Sequence, residues 1–215
     1  VALGKTSDGK YAATIGGVQL SIPRQVGKTF LVGMMIIALC ILNKNMTVLW
    51  TAHRTKTATK TFQTMQGMVK KKKIRGHLAA GRNDGIRTAN GEQEIRFRNG
   101  SVIVFGAREG GFGRGCEEVD IEVFDEAQIL SEKALEDMVA ATNQSRQESG
   151  ALLFFMGTPP RATDPGEEWL ERRNDALELK PMDQVVGLSD DTVYVEFSAD
   201  KDADPDDMEQ LAKAN

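Results

Sequence analysis

The chain has 215 residues, 40% of them hydrophobic and 27% charged, with a formal net charge of −4. This is length enough for one substantial core, and the two cysteines, Cys40 and Cys116, are too few for a disulfide framework or a paired-thiolate zinc site. The charge is unevenly spread: residues 9–83 hold no Asp or Glu but thirteen Lys and Arg, whereas residues 151–215 carry sixteen acids against six bases, so the basic part suits a polyanionic partner.

Val18 to Ile22 reads as a short strand, then a tight loop, then an apolar helix from about Lys28 to Leu42. That helix is too short to cross a bilayer. No secretory signal is visible, so a reducing cytoplasm is expected. Because the chain opens on Val1 without a methionine, we expect a piece of a longer protein. The loop, SIPRQVGKT, ends as G-x-x-x-x-G-K-[ST] does, but Ile22 stands where the first glycine belongs. Phosphate-binding loops aim successive backbone N–H groups at phosphate oxygens where a helix begins. Lys28 is placed to reach the β- and γ-phosphates of ATP and Thr29 to ligate Mg2+. Arg24 and Gln25 set a cation and an amide where phosphates would lie.

Thr47 to Ala52 reads as a second buried strand and Lys56 to Lys73 as a helix, with Phe62, Met65 and Val69 on one face. Glu94–Phe97 and Val102–Phe105, joined by Asn99-Gly100, form an expected hairpin. In GGFGRGCEE, four glycines surround Arg114, holding a guanidinium on a flexible loop where it could stabilise transition-state charge; a solvated surface arginine is the plainer alternative. The strand Val119 to Phe124 is closed by Asp125 and Glu126, the Walker B arrangement. Asp125 can join the Mg2+ shell and Glu126 can polarise an attacking water. A helix capped by Ser131 runs to about Thr142, and the strand from Ala151 to Met156 delivers Gly157-Thr158-Pro159, where P-loop motors keep a γ-phosphate sensor. Beyond it we expect a helix over Glu167 to Glu178, a strand over Val193 to Phe197 and a polar, acidic tail with a helix after Pro205. Alternating strands and helices with continuously apolar strands predict an α/β fold with a mainly parallel sheet, ligands sitting at its carboxyl edge.

Taken in order, PRQVGKT, TAHRTKTATKTF, the stretch from ANGEQEIRF to VFDEAQ, and LLFFMGTPP resemble the ATPase domain of the large terminase of tailed phages, of the HK97-like and actinophage type. The resemblance covers about residues 20 to 160. It implies a P-loop NTPase of the ASCE, RecA-like kind with a β-hairpin insertion, in which a deviant R-Q-x-G-K-[ST] loop is habitual. It assigns phosphate binding to Arg24, Gln25, Val26, Gly27, Lys28 and Thr29, with Lys28 central and Thr29 and Asp125 on Mg2+. Glu126 becomes the catalytic carboxylate, Gly157, Thr158 and Pro159 the coupling motif, and Arg114 a finger acting on a neighbouring subunit, with Arg24 in cis as the alternative. Implied partners are double-stranded DNA, the portal protein, the small terminase subunit and further copies in a pentameric ring, the isolated domain being monomeric. The implied location is the host cytoplasm, docked on a procapsid, with no membrane. Arg54, Lys56 and Lys60, with Lys70, Lys71, Lys72, Lys73 and Arg75, become candidate contacts to the DNA backbone, tolerant of sequence and sensitive to salt. Residues 1–180 are expected to form the ATPase domain and 181–215 an extension or linker toward a nuclease domain, with no nuclease activity in this chain. Two other readings stay open: a superfamily 2 helicase-like translocase, since DEAQ occurs there too, and a non-catalytic nucleotide-binding assembly module.

Overall fold

The computed structural model describes residues 2–214 apart from 15, 82, 90, 92, 114, 115, 117, 159–163, 165, 179–185, 189, 190, 199–203 and 205. In chain order the strands are β1 (Gly17–Ser21), β2 (Thr47–Ala52), β3 (Ile86–Arg87), β4 (Gln93–Arg96), β5 (Val102–Ala107), β6 (Ile121–Asp125), β7 (Leu152–Gly157), β8 (Val186–Leu188) and β9 (Thr192–Glu196). The helices are α1 (Lys28–Leu42), α2 (Thr55–Val69), α3 (Lys72–Arg75), α4 (Glu132–Val139), α5 (Glu167–Glu178) and α6 (Met208–Ala214). All nine strands join one sheet in the order β3-β4-β5-β2-β6-β7-β1-β9-β8.

The six strands from β5 to β9 in that order are parallel to their neighbours. Antiparallel strands close both margins, β4 and β3 on one side and β8 on the other. This is the expected α/β fold. Strands such as LLFFMG in β7 are buried at every position, as a parallel sheet covered on both faces requires. Alternate residues feed two cores. Val48, Trp50, Val123 and Phe154 pack with α1 and α2 through Ile36, Ile37 and Met65. Leu49, Phe124 and Phe155 pack on the other face with Leu135, Met138 and Trp169 of α4 and α5.

Three elements differ from expectation in instructive ways. The helix expected over Lys56 to Lys73 stops at Val69 and resumes as the short α3, with Lys71 extended between them (φ −61°, ψ 140°). A continuous helix would stack Lys70 over Lys73, like charges at i,i+3. The hairpin forms, with Ile95 opposite Ile103, but it is not wholly an insertion, since β5 also pairs along β2. Its turn serves α1: the Asn99 amide donates to the carbonyls of Cys40 (2.7 Å), Asn43 (2.8 Å) and Ile41 (3.2 Å), satisfying groups that a helix end leaves open. Finally, β9 lies within residues 181–215, yet it pairs along all of β1, from Gly17 opposite Thr192 to Ser21 opposite Glu196. Among the described residues no helix is long and apolar enough to cross a membrane.

Candidate active site

Parallel strands bring their carboxyl ends to one edge of a sheet. Here the register sets Ser21 of β1 opposite Gly157 of β7, and Asp125 of β6 opposite Met156. Three stretches far apart in the chain therefore end at the same level. Ile22 continues this order: its N–H donates to the Gly157 carbonyl at 3.2 Å and its side chain is buried in the core. The position of the missing glycine still belongs to the sheet margin, where an apolar side chain is favoured. The turning is done later, by Gln25 (φ 65°) and Gly27 (φ 92°), both in the left-handed region. Gly27 then caps α1, accepting from the N–H of Leu31 at 2.9 Å.

The Lys28 ammonium donates to the carbonyls of Ile22 (2.5 Å) and Pro23 (2.6 Å). Burial lowers its pKa, as does the charge of Arg24, while Asp125 opposes the shift. Asp125 is held from two sides, by the hydroxyl of Thr61 on α2 (3.1 Å) and by the N–H of Glu126 (3.0 Å). Burial nevertheless raises its pKa, assisted by the negative charge of Glu126. Glu126 itself sits in the left-handed region (φ 55°, ψ 44°), uncommon for a residue with a side chain. It opens a 3-10 turn over Ala127–Ile129.

These groups share one cleft of about 420 Å³, within the size range of small-ligand sites. It is lined by Arg24, Gln25, Lys28 and Thr29 of the loop and start of α1, by Asp125, Glu126 and Gln128, and by Gly157 and Thr158. The flank of α2 completes it with Thr57, Lys60, Thr61 and Thr64. Val26 belongs to the loop but is exposed outside this lining, at 40% relative accessibility. Arg114 and Pro159 lie outside the described residues.

The oxygen donors of Thr29 and Asp125 suit a hard cation such as Mg2+, which is ordinarily held by one or two carboxylates together with substrate phosphates. Among the described residues no group of three or more His, Cys, Asp or Glu side chains could hold a metal without such help.

The candidate DNA contacts fall at the two ends of α2. Arg54 and Lys56 are exposed at the start of α2, and Lys60 lines the cleft that holds Lys28 and Asp125. Lys70 to Lys73 lie past the other end of α2, about 22 Å away for its 15 residues. There Lys71 sits over the ring of Phe30 at 5.6 Å, and Arg75 pairs with Asp84 at 2.8 Å. Lys70, Lys72 and Arg75 rim a separate cleft with Leu78, Asp84 and Arg98.

Several important residues escape sequence reasoning. The Gln128 side-chain amide oxygen, Oε1, accepts from the N–H of Thr158 at 3.4 Å. It also abuts Gly157, where a Cβ would come within 2.6 Å of Gln128 Oε1 and 2.8 Å of the Trp169 ring. Arg108 follows β5 and donates to the Thr51 carbonyl (3.1 Å), the Thr51 hydroxyl (3.1 Å) and the carbonyls of Asp125 (2.8 Å) and Glu126 (3.4 Å). It ties the ends of β2, β5 and β6 together directly behind the acidic pair. Burial lowers its pKa to about 10, against the pull of Asp125, Glu126 and Glu122. Gln128 stands in the visible DEAQ string, but its acceptor role depends on β7. For Arg108 no local signal exists, because its acceptors are carbonyls on other strands.

No protein-family model matches the chain, and no curated protein matches it. Solved structures do. The HK97 bacteriophage large terminase aligns with 92% of this chain at a TM-score of 0.71 and 19% identity. The large terminase ATPase domain of Thermus phage P74-26 aligns with 83% of this chain and 74% of its own, at TM-score 0.58 and 11% identity. The chain has the fold of a large-terminase ATPase domain. It spans 38% of the HK97 large terminase, so it corresponds to a part of that protein. A third terminase, from a thermophilic bacteriophage and determined in complex with ADP, aligns with 85% of this chain and 40% of its own at TM-score 0.53 and 16% identity.

Proposed function

We propose that this chain is the ATPase motor domain of a viral large terminase, hydrolysing ATP to drive double-stranded DNA into a procapsid. The observation that carries this reading is convergence. The loop before α1, the acidic pair at the end of β6 and the glycine-threonine at the end of β7 meet in one cleft although more than a hundred residues separate the first from the last. The terminase fold supplies the context in which such a cleft is a nucleotide site.

In this mechanism Lys28 and Arg24 hold the phosphates and offset their charge, and the N–H groups at the start of α1 add the partial positive charge of a helix terminus. Glu126 orients a water in line with the γ-phosphorus and accepts its proton as the new P–O bond forms and the bond to the bridging oxygen breaks. Thr29 and Asp125 would hold Mg2+, which would supply neutralisation of phosphate charge. Arg108 keeps the backbone of Asp125 and Glu126 in place, and Gln128 links that turn to Thr158, so a change at the phosphate can reach β7. Docking on a portal with the small terminase subunit, in a ring of copies in the host cytoplasm, completes the proposal.

The decisive experiment replaces the carboxylate. Glu126→Ala is expected to lower ATP turnover at least about a hundredfold while leaving Mg–ATP affinity within about twofold of wild type, since Glu126 acts on water and not on the phosphates. Turnover at the wild-type rate in that variant would falsify the assignment.

A further inference from the structure

We propose that Lys60 is a nucleotide contact: its ammonium binds the terminal phosphate of ATP from the α2 side of the cleft. This rests on the ATPase reading and names a substrate-touching residue that the reading does not require.

The position of α2 is overdetermined. Ala58, Phe62, Met65, Met68 and Val69 are buried along one stripe, and the Phe62 ring meets Phe105 edge-on at 5.3 Å. With that stripe against the sheet, the helix turns its adjacent flank toward the loop before α1. Thr57, Lys60, Thr61 and Thr64 recur there at i, i+3, i+4 and i+7, one helical face, and all four line the cleft. Thr61 fixes the height of this face by donating to Asp125 at 3.1 Å. Lys60 lies on this same flank, one turn after Thr57 and one turn before Thr64, and lines the cleft that also holds Asp125 and Glu126.

Charge points the same way. The Lys28 ammonium is engaged by two carbonyls of its own loop. Among the described residues the Lys60 ammonium makes no ion pair, although it shares the cleft with two carboxylates. A terminal phosphate bound in a cleft that also holds Asp125 and Glu126 needs more than one cation, and Lys60 supplies one from α2 in addition to Lys28 and Arg24 of the loop.

The test compares Lys60→Met, which keeps the aliphatic stem, with wild type. Affinities are measured by calorimetry for a β,γ-imido ATP analogue and for ADP, both with Mg2+, alongside binding of a duplex DNA. The variant is expected to bind the imido analogue about tenfold more weakly, and ADP and DNA within about twofold of wild type, with an unchanged melting temperature. Lys60→Arg should recover most of the analogue affinity. Equal losses for the two nucleotides, no loss for either, or a loss confined to DNA would each overturn the assignment. A wild-type chain that binds neither nucleotide would instead overturn the ATPase reading beneath it.

Discussion

Glu122 lies in the middle of β6, fully buried, and neither of its carboxyl oxygens has a hydrogen-bond partner among the described residues. Its register neighbours are Leu49 on β2 and Leu153 on β7, and the charged or titratable groups that act on this face are Arg108 and Cys116. Burial raises its pKa from 4.5 to about 8, Arg108 pulling the other way. The folded chain therefore keeps a proton that the unfolded chain releases across that interval, so stability falls as pH rises through it. Glu122→Gln removes the titration and keeps the shape. Its urea midpoint is expected to exceed wild type most at about pH 8 and to approach it below about pH 5. A difference constant across that range would show that Glu122 is ionised in the folded state. Such a residue is invisible to motif reading. IEVFD reads as an apolar strand with an acid at its end, and only the neighbouring strands decide that Glu122 has no water.

Elements whose signal is local were legible in advance. The helices Lys28–Leu42 and Glu167–Glu178 have the expected limits, and Ser131 does cap α4, accepting from the N–H of Ala134 at 3.4 Å. The two- and three-residue strands β3 and β8 were not foreseen, because strands that short exist only through their partners. The junction of α5 with β9 is likewise tertiary. Arg173 donates twice to Glu196, both at 2.8 Å, and Ser198 and Tyr194 donate to the same carboxylate. Burial by itself would raise the Glu196 pKa, but these hydrogen bonds and the charge of Arg173 outweigh it and hold the pKa below its ordinary value. Arg173→Met is expected to cost about 1–3 kcal/mol in urea unfolding near neutral pH, since it leaves a buried acceptor short of partners. A group with a lowered folded pKa stabilises above its ordinary pKa and loses that contribution on acidification. The penalty should therefore shrink as pH falls below about 4.5. A penalty independent of pH would mean that Arg173 acts through packing alone.

At the scale of the whole molecule, the reading places one copy beside another. Residues 1–150 hold twenty-one basic side chains against fifteen acidic, and the remainder is strongly acidic. If Arg114 reaches a neighbour's nucleotide, Arg114→Ala should lower turnover without weakening ATP affinity. Mixing it with Glu126→Ala should then restore part of the activity, because some interfaces regain both groups. ATP turnover is measured across mixing ratios and protein concentrations, with duplex DNA present. Absence of rescue at every ratio would transfer the finger role to Arg24.

The sequence by itself determined what is carried by residue type and short spacing: a tight loop ending in Gly27-Lys28-Thr29 ahead of an apolar helix, an acidic pair closing an apolar strand, and the alternation that makes an α/β sheet. Apolar periodicity and adjacent chemistry are properties of a few consecutive residues, so no partner strand is needed to read them. Only the tertiary structure decided that Ile22 belongs to the sheet margin, that Arg108 clasps the turn holding Glu126, and that Lys60 lines the same cleft as Lys28 and Asp125. Each of these depends on groups distant along the chain, such as Thr61 and Asp125, 64 residues apart, that meet only when the sheet order brings β2, β6 and β7 side by side.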